Sequence, residues 1–545
     1  MKPRPALFSI LLAIGAAAAS AQSAGRPANQ LRFCITSQPK TFDPQLVADD
    51  ASETIRYLTG GVLVRLNRST QQLEPALATS WQVDRGGRTI RFVLRRNVYF
   101  SDGTPFTAAD VAWTMQRLMN PALHSPTGDA FRSGEGAVIT QITGNDRIAI
   151  TFARPVVGLD RLFDQVAIMS ARSPHGEMAV LGPYYVAENH AGSWLLLQRN
   201  PHYWKLNAAG HPLPAIDSIR IDVEPNRDIE MLRFLHAEID FINSVDAVGY
   251  DRLKARDPAT GIDAGPSLDS EQIWFNQMPA APLPDYKKAW FASTNFRRAI
   301  SESIDRQALA RVVFRGHAHP AISWISPADR YWFNARLSPH PYDPRDALRL
   351  LAQDGFQLRN GTLYDRTGHV VEFSVITNAG NVYREQMAAM IQQDLAAIGI
   401  RLRVVTLDFA SLIERITRTF DYEACLLGLV NDELDPNAQM NVWLSSAENH
   451  QWNPSQRAPA TPWEAEIDRL MRAQASTSDL KQRKAEVDRV QELVWQQEPF
   501  IYLVNKDALA AVSPRLRNVR PSVLRPQIYW NIDELSLDAS GRGKR

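Results

Sequence analysis

Apolar and polar residues alternate in two short runs, Trp81/Val83 and Ile90/Phe92/Leu94. The Arg85-Gly86-Gly87 between them supplies the positive backbone angles of a tight turn, so the pattern predicts an antiparallel hairpin. Thr107-Ala108-Ala109-Asp110 reads as a capping box ahead of Val111, Met115, Leu118 and Met119, which share one helical face until Asn120-Pro121 ends it. Residues 70–180 thus predict a smaller α+β unit. Farther on, Ile219/Ile221/Val223 alternate as a strand, and the apolar spacing of Ile229, Leu232 and Leu235 marks a helix leading to the apolar stretch 239–242. The strongest pattern lies later: Met387, Met390, Ile391, Leu395 and Ile398 fall on one helical face, Gly399 stops it, and Ile400/Leu402/Val404 alternate as a strand. A helix near Leu412 and a buried strand from Ala424 to Leu429 complete a βαβ-like unit. Val487, Val490, Leu493 and Val494 line another helix, and Phe500 to Val504 reads as a buried strand. The segment 513–545 is Arg-rich and irregular, with a frayed end. The absence of repeats and long low-complexity linkers predicts lobes crossed several times by the chain.

The first residues change the picture of where this chain works. Met1-Lys2-Pro3-Arg4 is basic, an apolar run from Leu7 to Ile14 follows, and small residues lead to Ala21, the pattern of a secretory signal peptide cleaved after Ala21. The run is shorter than the ~20 apolar residues a bilayer span needs, and the first cysteine is Cys34, too far on to accept a lipid. The expectation is a freely diffusing periplasmic protein of 524 residues with a net charge of −1, enough for about three domains at ~150 residues each. Nothing in this charge suggests a nucleic-acid partner. Cys34 and Cys425 are read as separate buried thiols rather than a disulfide. There is no Gly-x-Ser-x-Gly, His-Glu-x-x-His, Walker loop or Gly-x-Gly-x-x-Gly, so an exported hydrolase has no motif behind it. His317-Ala318-His319 offers two imidazoles, too few for a structural metal site, and no cofactor or metal is expected.

Several segments, taken together, resemble the family 5 (peptide and nickel-type) solute-binding proteins of bacterial ABC importers. They are Leu73 to Trp81, Phe92 to Val98, Ser101-Asp102-Gly103-Thr104-Pro105 and Ala109-Asp110-Val111. Gly182-Pro183-Tyr184, Arg199-Asn200-Pro201-His202-Tyr203-Trp204, Phe296 to Ile300, Ile304-Asp305-Arg306 and Tyr342-Asp343-Pro344 continue the match in order. These residues are turn chemistry, caps and core, so they identify a scaffold without naming a ligand. The resemblance implies an α/β, three-lobed periplasmic-binding-protein-like fold of class II, cluster C type. Its lobe I would comprise 22–68, 181–268 and 506–545, lobe II 69–180, and lobe III 269–505, with the ligand cleft between the two mixed α/β lobes I and III. It also implies a monomer that captures a peptide, an oligopeptide rather than a dipeptide, by lobe closure. Delivery would be to permease subunits in the inner membrane, served indirectly by ATPase subunits. The alternatives are a non-peptide solute such as a metal complex, sugar or opine.

In Gly428-Leu429-Val430-Asn431-Asp432-Glu433-Leu434-Asp435-Pro436, the resemblance places Asp432 against a ligand's α-ammonium. Lobe closure would remove water from this carboxylate, and a cationic ligand end offsets the cost of burying it. Phe409 would supply an aromatic face, balanced against an ordinary core role. Two positions depart from dipeptide-binding relatives: Asn378 stands where they carry a carboxylate-clamping Arg, and Leu429 where they carry a Trp. Arg384, one turn before Met387, is a substitute anion contact or a solvated helix-start residue. Ala48 to Ser52, Trp324, Tyr331 and Trp332 complete the expected cleft wall.

Overall fold

A computed structural model describes residues 27–131, 138–173, 179–431 and 433–538. The proposed signal peptide and the frayed C-terminal end therefore lie outside the described residues. Three sheets, each with its own apolar core, organise the chain.

The first sheet runs in the order Gln30–Ile35, Ser218–Val223, Trp194–Arg199, Tyr184–His190, with the first pair parallel and the others antiparallel. Strict alternation buries Leu31, Phe33, Leu195, Leu197, Ile219 and Ile221 on one face. The Arg-rich end of the chain covers that face. It is irregular apart from the pair Leu516–Arg517 and Ser536–Leu537, yet it inserts Leu516, Ile528, Tyr529, Ile532 and Leu535 into this core.

The second sheet is antiparallel, Ala78–Val83, Thr89–Leu94, Arg147–Thr151, Ile139–Ile142, with the expected hairpin turning at Gly87, φ 64°. The helix Ala108–Leu118 lays Val111, Met115 and Leu118 against it, and its capping box is formed. Asp110 does more than cap: its fully buried carboxylate accepts from Thr107 N and from Ala171 N at 3.0 Å, tying a distant loop to the helix start. Both cysteines are buried and free, and burial pushes the Cys34 thiol up to about 12.

The third sheet has seven strands. Its path is Phe241–Ile242, Phe500–Val512, Gly261–Phe275, Ala424–Leu429, Glu372–Asn378, Arg401–Leu407, and Ala318–Pro320 joins at Phe500–Val512. Glu372–Asn378 pairs parallel with Arg401–Leu407 through the helix Val382–Ala397, which buries Met387, Ala388, Ile391 and Leu395. Gly399 follows the helix of this βαβ unit at φ 82° and turns the chain into the second strand; a Cβ there would sit 2.8 Å from Leu363 N.

One helix buries residues other than those whose spacing marks it. Arg227–Leu235 is helical, but Met231 and Phe234 pack on Cys34, Ile239 and Ile242, while Ile229 and Leu232 are 44% and 54% exposed. The reason is the partner surface: Ile239 and Ile242 receive the i, i+3 pair Met231/Phe234, and Arg227 pairs with the buried Glu230 on the same side.

Candidate ligand-binding site

Two strands are far longer than the rest, Gly261–Phe275 and Phe500–Val512, and they pair antiparallel from the first sheet's neighbourhood into the third core. Their register shifts between Asp263 and Pro266 and again between Pro266 and Ser270, so the ladder is interrupted midway. A cavity of about 970 Å³ opens at that interruption. Residues 242–249 and 523–527 wall it on one side, 312–315 and 378–383 on the other, and 267–269 with Glu271, Lys506 and Asp507 lie between.

The cavity's charged wall comes from three elements that converge on Glu271. The strand Glu372–Asn378 ends here with Asn378, and the helix Val382–Ala397 begins here, capped by Asn381 through Arg384 N. Arg384 therefore reaches back from the first turn. Its Nε and Nη2 donate to the two Glu271 oxygens at 2.8 and 3.3 Å, and its Nη1 donates to Asn378 Oδ1 at 2.8 Å. Lys506 Nζ stands 3.4 Å from Glu271 Oε1 and is 37% exposed. Gly428 makes room for this cluster: a Cβ there would lie 2.6 Å from Arg384 Nη2 and 2.8 Å from both Glu271 oxygens.

Two cations thus share one carboxylate, a local surplus of positive charge in this cluster, while Asp246, Asp269 and Asp507 also line the cavity. Because Asn378 Oδ1 is held as an acceptor by Arg384, the orientation of its amide follows from the hydrogen-bond network and Nδ2 is the side left to donate. The arrangement offers Asn378 and Lys506 as neighbouring donors to an anionic group.

The other expected residues fall in different places. Asn431 lines the cavity, with its Nδ2 donating to Leu268 O at 3.3 Å, but Asp432 lies outside the described residues. Asp435, three residues on, is held bidentately by the buried Arg483 at 3.0 and 2.7 Å and accepts from Asn437 N, which makes it a structural group. Leu429 is half-buried and paired with Ser270 at the end of its strand. Phe409 starts the helix Phe409–Glu414 after the cap Asp408 and is 58% exposed, away from the cavity wall. Trp324 is buried against Trp443, 5.4 Å between rings, and with Leu434 and Asp435 lines a small depression beneath the Asn431–Gln439 segment. Arg384 is neither solvated nor free, since Glu271 takes up its charge. Glu271 and Lys506 escaped notice in the sequence. The one available signal was a lone Glu beside the apolar Ile273-Trp274-Phe275, which marks a charge carried into a buried strand.

Comparison with known proteins settles the class. Residues 72–451 match the model of the bacterial extracellular solute-binding proteins, family 5. The chain belongs to this family. It is 24% identical to a probable ABC transporter-binding protein of Deinococcus radiodurans, over 90% of this chain and 88% of that protein. It is also 24% identical to the glutathione-binding protein GsiB of Salmonella choleraesuis, over 97% and 98%. The fold is shared with NikA from Brucella suis, solved in complex with Fe(III)-EDTA, at a TM-score of 0.77 and 18% identity, covering 93% of this chain and all of that one. This family 5 protein is therefore a non-enzymatic, extracytoplasmic solute-binding component of an ABC importer, which delivers its ligand to permease components. Among the described residues, no helix is long and apolar enough to cross a membrane.

Proposed function

We propose that the solute is peptide-like, an oligopeptide rather than a dipeptide, captured in the periplasm after the leader ending at Ala21 is removed. Its carboxylate meets Asn378 Nδ2 and Lys506 Nζ, and its amino terminus meets Asp432. The observation that carries this reading is the donor pair at the cavity wall: Arg384 fixes the Asn378 amide while Lys506 stays partly exposed. The cavity, about 970 Å³, stands at the upper end of the roughly 300–1,000 Å³ range of small-ligand pockets, which favours a ligand longer than two residues. Lobes I and III, divided as the family resemblance implies, close about the interrupted ladder of Gly261–Phe275 and Phe500–Val512, and the three separate cores support that division.

A charge-assisted hydrogen bond contributes about 1.5–3 kcal/mol, so Lys506→Ala weakens a peptide with a free carboxyl terminus by roughly 10–100-fold and leaves its carboxyl-amidated form unaffected. Calorimetry with the two peptides tests this. Equal loss for both sinks the assignment of Lys506 to the carboxylate. A carboxylate-bearing metal chelate is the second reading, because the same donor pair accepts any carboxylate and the fold is shared with a protein holding Fe(III)-EDTA. Native mass spectrometry of protein taken from its own host separates the two by the mass retained.

A further inference from the structure

A second group of ionisable side chains gathers where the two long strands meet the loop ahead of Ala318–Pro320. Asp263 stands on one strand, Asp507 on the other and His317 in the loop, and one ligand atom from each lies within 4.8 Å of the others. Asp507 N donates to His317 O at 3.1 Å, which holds strand and loop together.

The hydrogen bonds around these groups leave acceptors facing one another. Asp251, on the helix Ala247–Arg256, has Oδ1 3.2 Å from His317 Nε2 and forms an ion pair with Arg315 through Oδ2. A carboxylate on Nε2 fixes the neutral tautomer that carries its proton there and leaves the Nδ1 lone pair on the opposite side. That side faces Asp263 Oδ2 at 3.7 Å, while Asp263 Oδ1 is occupied by Gly265 N at 2.9 Å. Asp507 is the second acceptor. Its side chain is 3% exposed, and Oδ1, 3.1 Å from His319 Nε2, has no hydrogen bond of acceptable geometry. An imidazolium at His317 bridges Asp251 and Asp263 and leaves Asp507 Oδ1 to an ion pair with the half-exposed His319. A cation placed among the three satisfies all of them.

We propose that Asp263, His317 and Asp507 bind one divalent transition-metal ion of the zinc class, with Asp251 orienting the imidazole from behind. One nitrogen and two carboxylate oxygens are the donor set of such ions, whereas calcium and magnesium prefer oxygen alone. The ion sits at the strand crossing, at the edge of the ligand cavity that His317 and Asp507 also line, and it links both long strands to the loop and, through Asp251, to the helix Ala247–Arg256.

The test uses the full mature chain, stripped with a chelator and titrated with zinc chloride alone by calorimetry, with metal counted by atomic emission after gel filtration. One zinc per chain is expected. Asp263→Asn and His317→Gln each weaken binding at least tenfold, Asp251→Asn weakens it by roughly 10–100-fold, and His211→Ala, at an exposed histidine elsewhere, leaves it unchanged. Asp263 is exposed, so its variant reports on the site even if His317→Gln fails to fold. Absence of zinc uptake, or stoichiometric binding that survives Asp263→Asn, overturns the proposal. His317 and Asp507 also line the cavity, so peptide calorimetry is run on metal-free protein and on Asp263→Asn, whose residue lies outside the cavity lining. Peptide binding without zinc uptake overturns only the metal site, and zinc uptake without peptide binding only the peptide reading.

Discussion

Replacing Glu271 by Gln removes the one carboxylate that two cations share at the cavity wall. At the 2.8 Å separation from Arg384 Nε, the gross attraction is roughly 6 kcal/mol at an effective dielectric of about 20, and desolvation of both groups offsets part of it. Lys506 is partly exposed and turns to water when its partner goes. Arg384 has no such exit: it is 13% exposed, lies against Gly428 and keeps only neutral acceptors, Asn378 Oδ1 and the new amide oxygen, with no opposite charge. Stranding one buried partner costs about 3–5 kcal/mol, and for a unit of roughly 200 residues each kcal/mol lowers Tm by about 2–4 °C. Thermal unfolding followed by tryptophan fluorescence should therefore fall by roughly 6–20 °C. Adding Arg384→Met to Glu271→Gln should restore most of the loss, since an apolar replacement of the pair leaves no unmatched charge. A shift below about 2 °C for the single variant, or a double variant no better than the sum of its parts, refutes the reasoning.

Two further outcomes follow from groups away from the cavity. Burial raises the Glu464 carboxyl, but hydrogen bonds from His450, Gln456, Thr461 and Trp452 outweigh it and hold the pKa at about 2, against 4.5 in an open chain. A depressed acid contributes its stabilisation fully above the unfolded value and loses it as pH falls through the folded one, so on the order of 3 kcal/mol is lost between about pH 4.5 and 2. Acid unfolding of Glu464→Gln should accordingly show a weaker pH dependence than the parent across that window, and parallel curves count against the assignment. Gly182 packs its backbone on Thr59: its N donates to Thr59 O at 2.9 Å, and a Cβ would sit 2.3 Å from that oxygen. Gly182→Ala should cost about 1–3 kcal/mol of stability, visible as a lower urea midpoint with an unchanged slope.

Much of the fold was legible because each element has to satisfy a local rule. The capping box at Thr107, the Gly87 turn and the Met387–Leu395 face depend on neighbours within a few residues, and all three form as the sequence predicts. The helix Arg227–Leu235 shows where this stops. Its existence follows from periodicity, but Ile229/Leu232 and Met231/Phe234 are both apolar i, i+3 pairs, and only contact with Ile239 and Ile242 chooses between them. The C-terminal segment is similar: it has no periodic pattern, so nothing in its order announces that Ile528 and Ile532 close the first core.

The site divides along the same line. Order of motifs alone identifies the family 5 scaffold, and Asn378 and Arg384 can be marked from their distances to Met387. What each does depends on a residue far away in sequence. Arg384 reads as a solvated helix-start residue or an anion contact until Glu271, 113 residues earlier, neutralises it. The Asn378 amide is oriented only because that Arg holds its oxygen, and Lys506 reaches the cluster only because Phe500–Val512 pairs with Gly261–Phe275. Sequence by itself determines propensity, caps and the periodic faces, since these act over one or two helical turns. Charge partnership, amide orientation and the choice between two equal faces belong to the tertiary structure, because their energies arise between groups that only folding brings within a few ångströms.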